Sequence, residues 1–209
     1  FRRVLFRSPS TTYGAMAIDA STGVWTYSLD NTLAATEALT EGEVVTQTYT
    51  ARITDDFGAY VDQTITITIT GTNDVPVITN TTDALIGAVT EAGNLNDGTV
   101  VPGTASVSGS LSASDVDASA TRTWSIRPGG PTTYGAMAID PSTGVWTYTL
   151  DNTLPATQAL TAGQVVTQAY TARVTDDQGA YVDQTITITI TGTNDVPVVE
   201  NTSAALIGA

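Results

Sequence analysis

Three residue types that carry much of protein chemistry are missing from this 209-residue chain, which contains no cysteine, no histidine and no lysine. Without cysteine there can be no disulfide, and without histidine the usual general base and the commonest transition-metal ligand are absent. The lack of lysine excludes Schiff-base chemistry and lysine–asparagine isopeptide crosslinks. The composition therefore predicts that the chain is not an enzyme and that any stiffening is noncovalent.

Basic charge and long apolar runs are also scarce. Only seven basic residues, all arginine, stand against 21 Asp and Glu residues, and the net charge is −14 at pH 7. Such an acidic surface repels nucleic acid and anionic lipid, and it attracts cations. Because no apolar run approaches the roughly 20 residues that a membrane-spanning helix requires, no membrane insertion is expected. Cations are the partners that the composition predicts.

What the chain does contain is a long internal repeat. Residues 132–199 repeat residues 11–78 at an offset of 121 with ten differences, and 206–209 repeats 85–88 at the same offset. A period of 121 residues is too long for a solenoid repeat and is close to the size of an independent domain. We therefore expect a leader of foreign origin at 1–8, the C-terminal part of one repeat at 9–78, one complete repeat at 79–199 and the start of the next at 200–209.

Alternating residues predict two hairpins in the complete repeat. Thr185–Thr191 alternates threonine with isoleucine, which is typical of a strand with one buried face. The strand predicted at 165–174 precedes it across a turn at 176–179, and strands at 134–139 and 145–150 form the other hairpin. The second strand of that other hairpin is expected to direct Trp146, Tyr148 and Leu150 into the core.

The remaining segments complete an all-β architecture. Further strands at 89–91, 105–113 and 121–126 bring the total to about seven, and a helical turn is expected only at 155–160. Tyr170 resembles the corner tyrosine of immunoglobulin-like sandwiches, whose hydroxyl bonds to the backbone. The predicted fold class is therefore all-β, with tandem immunoglobulin-like or cadherin-like Greek-key β-sandwiches.

Acidic residues concentrate in predicted turns and connectors. Hard cations such as Ca²⁺ bind about six to eight oxygen ligands, and two extended residues that are two apart project to the same side. The candidate ligands at the join inside the chain are Asp55, Asp56, Asn73, Asp74, Asp115 and Asp117. Those expected to gather at the far end of the complete repeat are Glu91, Asp176, Asp177, Asn194 and Asp195. Since Asp also favours turns for its own backbone bonds, the paired aspartates of the two predicted turns are explained equally well without a metal.

Several motifs in one order resemble the VCBS repeat. They are Val89-Thr90-Glu91, Ser114-Asp115-Val116-Asp117, Trp146-Thr147-Tyr148-Thr149-Leu150, Gln158–Gly163 and Gly192-Thr193-Asn194-Asp195-Val196-Pro197. The match spans nearly all of residues 79–199. That family consists of cadherin-like or immunoglobulin-like modules of very large bacterial surface proteins, commonly RTX adhesins.

The resemblance implies a calcium-binding module at the bacterial cell surface, with Ca²⁺ at the junctions between modules. The closing Asn-Asp of the family corresponds to Asn73-Asp74 and to Asn194-Asp195, and its early acidic positions correspond to Glu91, Asp115 and Asp117. Glu91-Ala92 departs from the family, which often has a second acid there.

Three functions fit these observations. The first is a calcium-stiffened extender of an adhesin, joined to neighbouring repeats of the same chain through short connectors that contain proline. The second is a subunit of an extracellular filament in which another copy completes the fold by strand exchange. The third is a carbohydrate-binding module, because Trp25 and Trp146 repeat at matched positions.

Overall fold

The computed structural model describes residues 3–6 and 11–197 of the chain, so the predicted start of a third repeat at 200–209 lies outside the described residues. These residues divide into two compact units. The first unit contains the described parts of Phe1–Val77 together with Ser114–Arg122 and Asp176–Ala180. The second unit contains Ile78–Ala113, Thr123–Thr175 and the described residues from Tyr181 onward. In the described part of the chain, no helix has the length and apolar character needed to cross a membrane.

The first unit is built from two small antiparallel sheets. Its elements are β1 (Arg3–Phe6), β2 (Gly14–Ile18), β3 (Trp25–Leu29), α1 (Ala34–Glu37), β4 (Val44–Thr54) and β5 (Tyr60–Thr70). The strand order is β1-β4-β5 in one sheet and β2-β3 in the other. The long hairpin of β4 and β5 pairs Val44 with Thr70 at one end and Thr54 with Tyr60 at the other.

The rest of the chain supplies the strands of the second unit and the short pairs around them. The elements are β6 (Val77–Ile78), a 3₁₀ turn (Thr82–Leu85), β7 (Ile86–Thr90), β8 (Gly93–Asn94), β9 (Val100–Val101), β10 (Ser106–Ser110), β11 (Ala113–Ser114), β12 (Arg122–Ile126), β13 (Gly135–Ile139), β14 (Val145–Leu150), α2 (Pro155–Gln158), β15 (Val165–Asp176) and β16 (Tyr181–Thr191). One sheet has the order β12-β15-β16-β7 and the other the order β10-β14-β13. The pairs β6–β11 and β8–β9 are short additions that the sequence did not predict.

The two sheets of the second unit enclose one hydrophobic core. Ile186, Ile188 and Ile190 of β16 are fully buried, as are Trp146 and Tyr148 of β14. Their alternation with exposed or half-buried residues is the period of two expected from the sequence. Seven strands in two sheets, with β12 and β15 adjacent although the hairpin β13–β14 lies between them in sequence, form a Greek-key sandwich. The predicted all-β fold class is therefore confirmed.

Trp146 is enclosed by two strands that approach it at glycines. A Cβ atom built on Gly109 of β10 would lie 2.5 Å from Trp146 Cζ2, and one built on Gly87 of β7 would lie 3.1 Å from Trp146 Cη2. The indole Nε1 donates a hydrogen bond of 3.0 Å to the carbonyl of Ala84, in the 3₁₀ turn. The burial of this tryptophan therefore depends on residues 84–109, far from it in sequence.

The matched strand of the first unit has no such cover. Trp25 and Leu29 are 45% and 46% exposed, whereas their counterparts Trp146 and Leu150 are 0% and 5% exposed. In the described part of the first unit no strand corresponds to β7 or β10. Nearly identical local sequences therefore differ in burial because their tertiary neighbours differ.

The Tyr170 hydroxyl donates a hydrogen bond to the backbone, as the resemblance to the immunoglobulin-like corner suggests. The carbonyl that accepts it lies 39 residues earlier in the sequence. The hydroxyl donates to the carbonyl of Pro131 at 2.7 Å, in the connection between β12 and β13. Gly130 permits this approach, since a Cβ there would lie 3.1 Å from the Tyr170 ring. The bond ties β15 to the β12–β13 connection.

Part of the predicted leader forms regular structure. β1 pairs antiparallel with the end of β4, where Val4 lies opposite Ile53, and Val4 is buried. β1 thus takes the place beside β4 that β12 takes beside β15. The foreign origin of residues 1–8 stays a prediction.

Candidate functional site

Five polar residues gather in the first unit and form what we call the first acidic cluster: Asn73, Asp74, Asp115, Asp117 and Asp176. The connector after β5 supplies the first two, the loop between β11 and β12 supplies the next two, and the β15–β16 turn supplies Asp176. Asp177, the next residue of that turn, accepts a hydrogen bond of 3.1 Å from the Thr121 backbone N–H. Asn73 Nδ2 donates to Asp176 Oδ2 at 3.0 Å. The Asp74 backbone N–H donates to Asp117 Oδ2 at 2.8 Å. Residues of both sequence copies are therefore linked within one compact unit.

The first acidic cluster holds buried negative charge. Asp117 and Asp176 are each 7% exposed, and the buried atoms Asp115 Oδ2 and Asp117 Oδ1 have no hydrogen-bond partner among the described residues. Burial raises the pKa of Asp74, and the charges of Asp117 and Asp115 raise it further. Burial also raises the pKa of Asp176, but hydrogen bonds from Asn73 and from the backbone of its own turn outweigh it, so the net shift is downward. The negative charges of the cluster are shielded from solvent, so their mutual repulsion is strong. Binding of a cation is favoured because it would reduce that repulsion.

Asp176 and its sequence counterpart Asp55 both accept hydrogen bonds from the backbone of their own turns, but only Asp176 also contacts Asn73. Asp176 Oδ1 accepts hydrogen bonds from the backbone N–H groups two and four residues later, at 2.9 and 2.8 Å. Asp55 Oδ1 accepts the corresponding bonds at 3.0 and 2.9 Å. Asp55 and Asp56 are exposed, whereas Asp176 is buried and also contacts Asn73. The structure therefore places Asp55 as a turn former and brings the turn of the other copy to the cluster.

A second acidic cluster lies in the second unit and consists of Glu91, Thr193, Asn194 and Asp195. Glu91 is fully buried, and its Oε2 accepts a hydrogen bond of 3.1 Å from the Thr193 backbone N–H. Three buried atoms there have no hydrogen-bond partner in the part of the chain that the structure describes, namely Glu91 Oε1, Thr193 Oγ1 and Asp195 Oδ2. Burial raises the pKa of Glu91; the Thr193 N–H lowers it in part, and the Asp195 charge raises it.

The predicted gathering of Asp176 and Asp177 with Glu91, Asn194 and Asp195 is wrong. β16 begins at Tyr181, next to the turn that holds the two aspartates, and ends at Thr191, next to the second acidic cluster. Its 11 residues span about 35 Å at ~3.4 Å per residue. A hairpin turn and the far end of its second strand cannot meet, so the two groups are separate.

Three polar residues that belong to these clusters or bond to their backbone were not predicted as site residues from the sequence. Glu41 Oε2 accepts from the Asn73 backbone N–H at 3.0 Å, and Asn94 Oδ1 accepts from the Val196 backbone N–H at 2.7 Å. Thr193 contributes the unpartnered hydroxyl described above. The sequence did set Glu41 apart, because position 41 is one of the ten at which the two copies differ. Its counterpart, Ala162, has no carboxylate that could accept a hydrogen bond.

The donor atoms of both clusters suit a hard cation. Carboxylate, amide and hydroxyl oxygens are the ligands that Ca²⁺ takes, and buried carboxylate oxygens without a partner are rare in folded proteins. Within residues 3–6 and 11–197, no group of three or more His, Cys, Asp or Glu side chains is arranged so that it could hold a metal ion. The fit therefore rests on the unpartnered oxygens and on the type of donor.

Comparison with known proteins gives structural likenesses only. No protein-family model and no curated protein matches the chain. Solved structures similar to it include human CDH23 EC21-23 (16% identity, TM-score 0.48, covering 91% of this chain and 62% of that chain), mouse Cadherin-23 EC22-24 (13%, 0.41, 93% and 53%) and protocadherin gamma B7 extracellular cadherin domains 1-4 (18%, 0.43, 91% and 41%). The chain thus spans about two to three fifths of these solved chains. At such TM-scores the likenesses carry no weight on function, and the fold class rests on the strands and core described above.

The raised pKa values of Glu91 and Asp74 predict a pH dependence for the protein kept in a calcium chelator. A carboxyl group with a raised folded-state pKa stabilises the fold fully below its ordinary pKa, 4.5 for Glu and 3.8 for Asp, and loses that contribution as pH rises through the raised value. We therefore expect a higher melting temperature at about pH 5 than at about pH 7, measured by circular dichroism.

Glu91→Gln is the control for this pH dependence, because the amide cannot titrate while its oxygen can still accept from Thr193. Its melting temperature should change less between the two pH values than that of the unchanged chain. Asp176 acts in the opposite direction, since its pKa is lowered, and its contribution is lost only as pH falls below its ordinary 3.8. A melting temperature that rises steadily from pH 5 to pH 7 in chelator would contradict the burial of charge in the clusters.

Proposed function

We propose that this chain is a structural extender module of a large secreted bacterial surface adhesin, built of VCBS-type repeats and rigidified by Ca²⁺ at the junctions between repeats. The observation that carries the proposal is the set of buried oxygens in the two acidic clusters that have no hydrogen-bond partner within residues 3–6 and 11–197. An isolated buried carboxylate is costly unless a cation or a hydrogen-bond donor accompanies it. The function is mechanical rather than enzymatic, and the location is the bacterial cell surface.

Repetition indicates how a complete junction is assembled. The closing residues of a repeat occur twice, as Asn73-Asp74 and as Asn194-Asp195. At the first position they meet Asp117 and Asp176, and at the second they lie beside Glu91. We infer that a full junction in a longer array combines both surroundings, so that the end of one repeat and two loops of the next share the cations. The first acidic cluster, Asn73, Asp74, Asp115, Asp117 and Asp176, would supply the ligands of an ion in this chain.

The connector supports a stiff junction. Pro76 is buried, its fixed dihedral restricts the chain, and it biases Val75 towards an extended conformation. The Asp74 backbone is further held by its bond to Asp117. A restrained connector next to cation ligands suits a spacer, since binding an ion would remove the freedom that remains.

The carbohydrate-binding alternative finds less support. Trp146 is fully buried and its indole N–H is bonded to Ala84, so its face cannot stack on a sugar. Trp25 is 45% exposed, because the described residues of the first unit include no strands that correspond to β7 and β10. Of the two matched tryptophans, Trp146 is therefore a core residue of the sandwich.

Small-angle X-ray scattering and thermal melting with calcium and with chelator test the proposal. Calcium at a hundred times its dissociation constant should stabilise the folded state by about 2.7 kcal/mol if it binds only that state. Chelation should lower the melting temperature and broaden the distribution of interatomic distances. Magnesium at the same ionic strength is the control for general charge screening. If calcium changes neither measurement, or if magnesium acts equally, the proposal fails.

A further inference from the structure

The complete sandwich of the second unit leaves one edge of a sheet open. β13 is the last strand of the sheet β10-β14-β13, and its outer side has no strand partner among the described residues. The strands of both sheets of this sandwich lie between Ile86 and Thr191, within the described residues. The open edge is therefore a property of the sandwich topology. The matched strand β2 has the same sequence, Gly-Ala-Met-Ala-Ile, and also lies at a sheet edge.

Alternate residues of β13 direct their backbone groups to this edge. The Asp140 N–H donates to the Val145 carbonyl at 2.8 Å, and the Tyr134 carbonyl accepts from the Asp151 N–H at 2.9 Å. Because the residues of an antiparallel strand alternate in the direction of their peptide groups, every second residue from 134 to 140 bonds to β14. The N–H and C=O groups of Met137 and Ile139 therefore face outward.

This edge lacks the features that usually prevent pairing with another chain. Natural edge strands carry charged residues, proline or bulges that block an added strand. From Thr132 to Ile139 there is neither a charged residue nor a proline. By contrast β12, an edge of the other sheet, begins at Arg122 and is followed by Arg127. β13 is thus the unprotected edge of the two.

A second copy of the same strand fits this edge. The chain has a net charge of −14, so two copies repel one another except where their surfaces are uncharged. An antiparallel strand of identical sequence is self-complementary, which gives a two-fold symmetric contact. Ala136 and Ala138 are exposed and small, so two such edges can approach closely. Gly135 is buried, so the accessible part of the edge is at Met137–Ile139.

We propose that β13 pairs antiparallel with β13 of a second copy of this chain, about a two-fold axis at Ala138. Met137 of each copy then exchanges backbone hydrogen bonds with Ile139 of the other copy. Ala138 lies opposite its own equivalent, and Ala136 lies opposite Asp140 of the other copy. This lateral pairing goes beyond the spacer function and needs no calcium.

Repetition is what makes such a contact effective. Two short strands bury little area compared with the roughly 1,200 Å² at which stable interfaces begin, so a single pairing is weak. The edge recurs after 121 residues, as β2 and β13 show. Linked weak contacts add up in avidity, so arrays of repeats associate side by side although one pair of repeats separates readily.

Disulfide trapping detects a weak contact of this kind, because the chain contains no cysteine of its own. In the proposed register the two Ala138 Cα atoms are about 4.5 Å apart, which a disulfide can bridge. Two Ala136 residues are displaced along the strands by ~14 Å, beyond the roughly 7 Å limit. Under mild oxidation in calcium chelator, Ala138→Cys should form covalent dimers on non-reducing electrophoresis, and the equally exposed Ala136→Cys should not.

Three results would overturn the proposal. Absence of dimers in Ala138→Cys excludes the contact, and equal crosslinking of Ala136→Cys and Ala138→Cys shows random collision. Dimers that form only when the two variants are mixed place the axis at Met137 and exclude the stated register. Because calcium is removed throughout, failure here leaves the calcium proposal standing, and the reverse also holds.

Charge variants in the Ala138→Cys background supply a second readout. Asp140 is ionised at neutral pH, since hydrogen bonds from Ser142 and Thr143 lower its pKa to about 2. Adding Ala136→Lys should speed dimer formation, and adding Ala136→Asp should slow it, because position 136 faces Asp140 of the other copy. Ala169→Lys, on the exposed face of the other sheet, makes the same change in net charge and should have the smaller effect. Equal rates for Ala136→Lys and Ala136→Asp overturn the assigned register.

Discussion

Replacing Trp146 with alanine is expected to lower the free energy of unfolding of the second unit by about 3–5 kcal/mol, the range for truncating a large aromatic residue in a core. Trp146 has no exposed surface and touches β7 and β10 at glycines, so the cavity left behind cannot collapse easily. The change also leaves the Ala84 carbonyl without its donor. The same substitution at Trp25, which is 45% exposed, should cost less than about 1 kcal/mol.

Urea unfolding followed by far-UV circular dichroism measures both variants, with the free energy taken from midpoint and slope. The pair is closely matched, because Trp25 and Trp146 occupy the same place in β-strands of nearly identical sequence. Similar losses at the two positions would show that Trp25 is covered in solution. A small loss at Trp146 would contradict the sandwich core described for the second unit.

Replacing Asp176 with asparagine is expected to abolish most of the stabilisation that calcium gives to the first unit, whereas Asp55→Asn should leave it unchanged. Both substitutions preserve the Oδ1 atom that accepts two backbone hydrogen bonds in the turn. Only Asp176 also faces Asn73 in the buried cluster. At a calcium concentration a hundred times the dissociation constant, the expected loss is up to about 2.7 kcal/mol.

The quantity to measure is the difference in melting temperature between calcium and chelator for each variant. For a unit of this size 2.7 kcal/mol corresponds to roughly 10–20 °C. In chelator Asp55→Asn should melt within a few degrees of the unchanged chain, because an amide replaces a carboxylate without loss of volume. Asp176→Asn also loses the acceptor of the Asn73 hydrogen bond, so its calcium response is taken relative to its own melting temperature in chelator. Equal calcium responses in Asp55→Asn and Asp176→Asn would exclude the first acidic cluster as the calcium site.

Much of the fold could be predicted from local patterns. The alternation in Thr185–Thr191 and Val145–Leu150 predicted which side chains are buried, and the observed strands agree with it. The short pairs β6–β11 and β8–β9 could not be predicted, because two residues carry no measurable period. The Tyr170 partner was also beyond reach, since Pro131 is 39 residues away along the chain.

The candidate site was predicted in its composition but not in its grouping. Asn73, Asp74, Asp115 and Asp117 come together as expected from their place at the join. Asp55 was expected beside them, and Asp176 takes that place instead. The two turn sequences differ only at Phe57 and Gln178, so they cannot show which copy contributes, because the choice depends on how long-range strand pairing directs each turn.

The sequence by itself determined the repeat, the all-β fold class, the residues that alternate into a core and the abundance of carboxylates at the joins, because each is a property of neighbouring residues or of composition. Only the tertiary structure decided which carboxylates share a cluster and which of two matched tryptophans is buried. Trp146 and Trp25 have the same neighbours along the chain, but burial depends on neighbours in space. Residues 84–109 provide those neighbours for Trp146, whereas the described part of the first unit leaves Trp25 45% exposed.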